Sequence, residues 1–218
     1  MSMEQQDRRG VCSTGAELPQ NGLYLHASAV IVNGEAVLFL GHSTAGKSTI
    51  AHLLSPLCLI LADDTVLAQK DNEGQWRVTD GKKRFTDLPI YRLRPAGLRR
   101  DMPPNGTPLL ACVRIHKGAA LRHAPLAPIE LAQCLMDAVM EVDVQRKCGR
   151  LDPKDAASAP DAITTARTMR ARWFAMVVEI AGNIEGKRLW FPREADPLEL
   201  VAAIGCSGDT GFHEAEDA

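Results

Sequence analysis

The chain has 218 residues, of which 45% are hydrophobic and 24% are charged, and it has a formal net charge of −2 at pH 7. This composition is typical of one globular domain that folds in water, and its charge supplies no positive field for binding nucleic acid or anionic lipid. The six cysteines are scattered, without a CxxC pair or the spacing of metal ligands, so we expect reduced thiols in a cytoplasmic protein.

The two ends of the chain are polar and have little apolar surface to bury. We predict a flexible N-terminal segment over residues 1–20, a single domain over 21–205 and an acidic C-terminal tail over 206–218. The sequence has no apolar run near its N-terminus of the kind that forms a signal peptide. It also has no stretch of about 18 apolar residues, so we expect no membrane contact. The oligomeric state stays open, and a homo-oligomer is one possibility.

The first elements predicted along the chain are a hairpin and a helix. Two apolar runs within residues 23–40 flank Asn33-Gly34, a dipeptide that favours the positive φ angles of a tight turn between antiparallel strands. The second run leads into Gly41-His42-Ser43-Thr44-Ala45-Gly46-Lys47-Ser48, which we name the glycine loop. Residues 47–54 then favour a helix that stops at Ser55-Pro56.

A short apolar run over residues 57–61 is typical of a strand buried on both faces, and it ends just before Asp63 and Asp64. The pattern of residues 65–68 and 75–79 predicts another hairpin. The pattern of residues 109–115 and 119–126 predicts a further pair of strands. Two covering helices follow over 128–142 and 161–181, and a strand over 188–191 with a helix over 197–204 completes the chain. The predicted class is α/β, with a mixed sheet that contains several antiparallel hairpins.

The glycine loop matches the pattern GxxxxGK[ST], which binds nucleoside triphosphates. Its backbone N–H groups surround phosphate oxygens at a helix N-terminus, where the helix adds a partial positive charge. In this pattern Lys47 reaches the terminal phosphates and the Ser48 hydroxyl binds Mg²⁺. The alternative is a simple glycine turn between strand and helix. Because the match follows an apolar strand and opens a helix, we expect residues 41–49 to bind ATP: Gly41, His42, Ser43, Thr44, Ala45, Gly46, Lys47, Ser48 and Thr49.

Asp63 and Asp64 suit the chemistry of phosphoryl transfer, in which one carboxylate holds the metal and a second acts on the attacking group. Taken alone, two adjacent aspartates after a strand are also common turn residues. Arginines between the hairpin and a Pro103-Pro104 turn form a basic face, and Arg92 and Arg94 are the better candidates there for an arginine that binds the transferring phosphoryl group.

The order of His26, the glycine loop and the paired aspartates resembles the catalytic domain of HPr kinase/phosphorylase over residues 22–68. The resemblance implies a P-loop-containing fold shared with ATP-dependent phosphoenolpyruvate carboxykinase. It also implies transfer of a phosphoryl group from ATP to a serine hydroxyl of a protein or peptide. By the same resemblance Asp63 accepts the proton of the hydroxyl, Asp64 and Ser48 hold Mg²⁺, and His26 lies beside Asp63 and orients it.

The sequence departs from that family after the aspartate pair. The family's signature of Glu, Ile or Val, Arg and glycines is absent between Thr65 and Arg99, so we expect an acceptor other than HPr. Two alternatives to a serine kinase stay open: a kinase of a small metabolite, and a regulatory module that binds ATP without transferring phosphate. Asp63, Asp64 and His26 argue against the second.

Overall fold

The computed structural model describes residues 21–81, 106–148 and 160–205. The described parts of the chain contain nine strands and four helices. In chain order they are β1 Gly22–His26, β2 Ser28–Val32, β3 Glu35–Leu40, α1 Lys47–Leu54, β4 Leu59–Ala62, β5 Thr65–Lys70, β6 Trp76–Asp80, β7 Thr107–Lys117, β8 Arg122–Pro125, α2 Pro128–Cys148, α3 Pro160–Asn183, β9 Glu185–Phe191 and α4 Pro197–Ile204.

The nine strands form one mixed sheet with β7 near its middle. The hydrogen-bonded order is β1-β5-β6-β7-β3-β2-β4, and β9 pairs with both β7 and β8. β7 pairs with three strands: parallel with β3, parallel with β9 from Ala111 onward, and antiparallel with β6 at its first two residues. The predicted α/β class with a mixed sheet is therefore confirmed.

Helices cover both faces of the sheet because the side chains of each strand alternate between two cores. Ala36, Leu38 and Leu40 of β3 join the core that α2 and α3 cover, whereas Val37 and Phe39 join the core that α1 and α4 cover. The C-terminal end of β3 leads into the glycine loop. That loop therefore lies at the edge of the sheet where helices from both layers are within reach.

The two predicted hairpins are confirmed. β2 and β3 pair antiparallel around Asn33 and Gly34, whose φ angles of 52° and 90° are those of the primed turn that Asn-Gly favours. β5 and β6 pair antiparallel in the predicted order. The first region nevertheless contains one strand more than predicted: β1 ends at His26 and pairs with β5, while β2 starts only two residues later. No turn residue marks this change of partner.

Two strand predictions were wrong. The strands predicted over 109–115 and 119–126 exist, but they do not pair with each other; β9 lies between them and pairs with both. That pairing joins residues about 70 positions apart, so no local pattern announces it. The strand after α1 is not buried on both faces either. In the described sheet β4 pairs with β2 alone, and Leu59 and Ile60 are half-buried.

The four predicted helices are present, and α1 and α4 have the predicted bounds. α2 continues beyond 142 to Cys148, and α3 ends at Asn183. Within the described residues, no helix is long and apolar enough to span a membrane. The predicted terminal segments 1–20 and 206–218, and the basic stretch with Arg92 and Arg94, lie outside the described residues.

Candidate functional site

The glycine loop connects the end of β3 to the start of α1 by a tight path. Gly46 has a φ of 107°, a conformation that favours glycine, and a Cβ atom there would crowd the Phe191 ring at 3.2 Å. Thr44 also has a positive φ, of 73°, and the Ala45 N–H donates to the His42 carbonyl at 3.0 Å. No side chain caps α1, which leaves the N–H groups of its first turn available to an anion.

Lys47 is the buried cation of this region, with 8% of its surface exposed. Its Nζ donates to the carbonyl oxygens of Gly41 at 2.6 Å and His42 at 3.2 Å. Burial lowers the pKa of Lys47, and the negative charges of Glu141 and Asp63 act in the opposite direction. The ammonium group is therefore held over the first residues of the loop, within the field of two carboxylates.

Asp63 and Asp64 follow β4 in the connection to β5, and each has its own partners. Asp63 Oδ1 accepts a hydrogen bond of 3.1 Å from the hydroxyl of Ser28, which is completely buried. Asp64 Oδ2 accepts one of 3.4 Å from Thr65, and its backbone carbonyl accepts the Ala27 N–H. The two carboxylates are thus fixed by different strands, Asp63 by β2 and Asp64 by β5.

His26 contacts Asp64, whereas the sequence resemblance placed it beside Asp63. Its Nδ1 lies 3.2 Å from Asp64 Oδ1, and its Nε2 lies 3.5 Å from Glu141 Oε2. The reason for the correction is the register of β1 and β5: His26 pairs with Thr65, the residue after Asp64. The group that contacts Asp63 is Ser28, on the other side of the break between β1 and β2.

Glu141 of α2 is a member of this cluster that sequence reasoning did not identify. It contacts His26, and its charge acts on Lys47. The sequence offers only a weak signal: Glu141 precedes the buried Val142 and follows Ala138 by three positions, so it lies at the border of the buried face of α2. Such border carboxylates are common on helices, which is why the pattern alone does not select it.

A cavity of about 310 Å³ lies between the glycine loop, the end of β7 and α2. Glu141 lines this cavity, so the cavity borders the cluster of His26, Asp64 and Lys47. The other residues that line it are Gly41, His42, Ser43, Thr44, Ala45, Arg114, Ile115, His116, Lys117, Cys134, Asp137 and Ala138.

The structure thus brings together most of the residues that the sequence selected. Lys47, Asp63, Asp64 and His26 form one cluster, and the first five loop residues line the adjoining cavity. Ser48 and Thr49 are exposed at the start of α1, and no described contact joins Ser48 to Asp64. Their roles remain predictions.

The donor set of Ser48 and Asp64 fits Mg²⁺ rather than a transition metal. Within the described residues, no group of three or more His, Cys, Asp or Glu is arranged to hold a metal ion by itself. A hydroxyl and a carboxylate are oxygen ligands, and Mg²⁺ is commonly held by one or two carboxylates together with substrate phosphates and water. The uncapped start of α1, which carries Ser48, offers a place for those phosphates.

Comparisons with known proteins find similarity among solved structures only. No family model matches the chain, and no curated protein matches it. Among solved structures, the chain is similar to the Hpr(Ser) kinase/phosphatase from Coxiella burnetii. The two share 14% sequence identity with a TM-score of 0.40, over 83% of this chain and 93% of that chain.

Proposed function

We propose that this chain is an ATP- and Mg²⁺-dependent kinase that transfers a phosphoryl group to a serine hydroxyl of a protein or peptide. The observation that carries the proposal is the convergence of Lys47, Asp63, Asp64 and His26, which come from α1, the β4–β5 connection and β1. A glycine turn without function has no need to gather a buried ammonium and two carboxylates beside an uncapped helix start. Phosphoryl transfer needs these groups, because it requires a phosphate cradle, a metal ligand and a base.

In the proposed reaction the acceptor hydroxyl oxygen attacks the γ-phosphorus of ATP, and the bond from that phosphorus to the β–γ bridging oxygen breaks to release ADP. Asp63 receives the proton of the hydroxyl, and the hydrogen bond from Ser28 fixes the orientation of its carboxylate. Lys47 faces the terminal phosphates and offsets their charge. Ser48 and Asp64 would hold Mg²⁺, which would supply positive charge to offset that of the phosphates.

The position of His26 gives it a different role from the one that the sequence resemblance implied. Because it contacts Asp64, we propose that it orients the metal ligand rather than the base, with Glu141 holding its other nitrogen. Outer partners of this kind fix the direction in which a carboxylate presents its oxygens. The orientation of the Asp63 carboxylate then depends on the hydrogen bond from Ser28.

Mass spectrometry of candidate protein acceptors after incubation with Mg-ATP tests the proposal. The purified chain is expected to produce a phosphoserine, and Lys47→Ala and Asp63→Asn are the negative controls. A parent chain that binds no Mg-nucleotide would contradict the proposal altogether. Tight nucleotide binding without transfer to any acceptor would instead favour the regulatory module.

A small-metabolite kinase is the second candidate, and the size of the cavity is compatible with it. A volume of about 310 Å³ is near the lower end of the range of small-molecule sites, and it accepts a small alcohol as readily as one serine side chain. A panel of small hydroxyl compounds, followed by ADP release, separates the two candidates. A phosphorylated small product at rates above any protein acceptor would favour the metabolite.

We expect the acceptor to be a molecule other than HPr, since the sequence lacks the downstream signature of HPr kinase/phosphorylase. Contacts remote from the serine position its hydroxyl, so a changed docking surface lowers transfer even when Asp63 and the glycine loop are intact. The assay uses Mg-ATP and purified HPr, with an authentic HPr kinase as positive control. Turnover near that of the control would show that the missing signature is not required.

A further inference from the structure

Arg114 lies at the C-terminal end of β7, beside the start of the glycine loop. It is in parallel register with Leu40, the residue that immediately precedes Gly41. The alternation of β7 places Val113 and Ile115 in the core under α1, which leaves Arg114 on the α2 side of the sheet. There it lines the cavity together with residues 41–45 of the loop.

Arg114 differs from its neighbour Arg188 in forming no ion pair among the described residues, although its charge adds to that of Arg188 in lowering the pKa of Glu130. The two arginines are in register on β7 and β9, and Arg188 forms an ion pair with Glu130 of α2. Over the described ranges, Arg114 makes neither an ion pair nor a hydrogen bond. A half-buried arginine that donates no hydrogen bond to the described residues retains all five of its N–H donors for a ligand.

The surroundings of Arg114 carry an excess of positive charge. Lys117 lines the same end of the cavity, and the pKa of His116 is lowered first by burial and then by the charges of Arg114, Arg188 and His42. The carboxylates that line the cavity, Asp137 and Glu141, belong to α2. Glu130 of the same helix is the carboxylate near the arginines, and its pKa is lowered first by the hydrogen bond from Arg188 and further by the charge of Arg114. Proximity of like charges is unfavourable, so this end of the cavity favours an anion.

The cavity opens at the end of the loop where the terminal phosphate of a nucleotide is expected. In a GxxxxGK[ST] loop the lysine reaches the β- and γ-phosphates. The Lys47 ammonium lies on the carbonyls of Gly41 and His42, and both of these residues line the cavity. An acceptor must approach from this side, because in-line transfer requires it to face the γ-phosphorus.

We propose that Arg114 is the anion-binding residue at the acceptor side of this site. Its guanidinium binds two oxygens of a phosphate or carboxylate in the cavity, a geometry that a planar fork of N–H donors matches. The anion has two possible sources: the terminal phosphate of the nucleotide, or an acidic group of the acceptor close to its hydroxyl. The inference rests on the proposed function, and it assigns to Arg114 the role that the sequence offered to Arg92 or Arg94.

Calorimetry with Arg114→Gln tests this role, and Arg122→Gln is the matched control. Arg122 is exposed on β8 and contacts the Trp190 ring outside the cavity, so its substitution removes one charge from the same region. Three titrations are compared: Mg-ADP, Mg with the non-hydrolysable imido analogue of ATP, and inorganic phosphate added to protein saturated with Mg-ADP. Each is performed on the parent and on both variants.

If the terminal phosphate is the anion, Arg114→Gln binds the ATP analogue at least ten-fold more weakly and binds Mg-ADP like the parent. If the acceptor supplies the anion, both nucleotides bind as in the parent, and binding of inorganic phosphate to the ADP complex falls at least ten-fold. Equal affinities of the parent and Arg114→Gln in all three titrations would overturn the proposal. So would an equal loss for both nucleotides, or the same loss in Arg122→Gln.

Two further measurements keep the test decisive. Arg114→Lys retains the charge but not the fork, and is expected to show a smaller loss of the same kind; it replaces Arg114→Gln if that variant does not fold. A parent chain that binds no nucleotide would refute the kinase proposal but not this one. In that case inorganic phosphate is titrated into the nucleotide-free proteins, and equal binding by the parent and Arg114→Gln refutes the role of Arg114.

Discussion

Asp63 and Asp64 are neighbours in sequence, but their side chains depend on different strands. Ser28 donates to Asp63, and His26 contacts Asp64. The two residues lie in the bend between β4 and β5, where each carboxylate has a different partner. The separate contacts predict separate phenotypes for substitutions that remove only the charge.

Asp63→Asn is expected to abolish transfer while Mg-ATP binding is retained, because the amide cannot accept the hydroxyl proton. Asp64→Asn is expected to weaken the dependence of nucleotide binding on Mg²⁺, because the metal loses an anionic ligand. Calorimetry with and without Mg²⁺, combined with the transfer assay, separates the two effects. The reverse pattern would exchange the two roles, and full activity in both variants would remove the pair from the mechanism.

Cys112 is expected to resist alkylation in the folded protein. It is completely buried, and burial together with the nearby Cys134 raises its pKa to about 12. At pH 8 roughly one molecule in ten thousand then carries the reactive thiolate. Iodoacetamide followed by peptide mass spectrometry should label Cys112 only after urea is added, while the half-buried Cys134 reacts earlier. Rapid labelling of native Cys112 would contradict the burial of β7.

At the scale of elements, α4 shows how one side chain fixes a helix start. The Asp196 carboxylate accepts hydrogen bonds from the N–H groups of Leu198 at 2.7 Å and Glu199 at 3.3 Å, and Pro197 occupies the first helical position. The helix buries Leu200 and Ile204 in the core that α1 shares. The N-cap therefore supports the layer that holds the glycine loop.

Asp196→Ala is expected to lower the free energy of unfolding by about 1 kcal/mol, since two N–H groups lose their acceptor. Asp196→Asn should lose much less, because the amide oxygen still accepts. Urea denaturation measures both, with the exposed Glu194→Ala as the control variant. A loss in Asp196→Ala no larger than that of the control would show that the cap contributes nothing to stability.

Local patterns in the sequence were sufficient for some elements and not for others. Asn33-Gly34 determines a hairpin because the turn conformation depends on those two residues, and α1 begins where the glycine loop places it. The partners of β7 are set instead by contacts between distant segments: β9 reaches β7 only after α2 and α3 have crossed the sheet. The periodicity of apolar residues and the local composition carry no information about such pairing.

At the scale of the whole molecule, local sequence predicts some residues of the candidate site, whereas others join it only through contacts between distant segments. Lys47, Asp63 and Asp64 were predictable because they lie within one short stretch whose order has chemical meaning. Arg114 and Glu141 enter the site only because the sheet and α2 fold over the loop. A cavity assembled from the glycine loop, β7 and α2 is a property of the fold, so its residues from β7 and α2 could not be read from the sequence.

Nucleotide binding should raise the thermal stability of the whole chain, because a ligand that binds only the folded state shifts the unfolding equilibrium. At a concentration one hundred times its Kd, Mg-ATP adds about 2.7 kcal/mol. For a chain of this size that corresponds to a rise in Tm of roughly 5–10 °C. Differential scanning fluorimetry measures the shift, with Mg²⁺ alone and ATP with EDTA as reference conditions.

Lys47→Ala is expected to lose most of this shift, because the buried ammonium on the glycine loop is the group proposed to bind the terminal phosphates. The matched control is Lys70→Ala, which removes a lysine that contacts Glu179 and the Trp76 ring, outside the residues of the glycine loop and cavity. That control should begin from a lower Tm and still rise by the same amount with Mg-ATP. If Lys47→Ala rose as much as the parent, phosphate binding by the glycine loop would be refuted, whereas an equal loss in both variants would point to a general effect on folding.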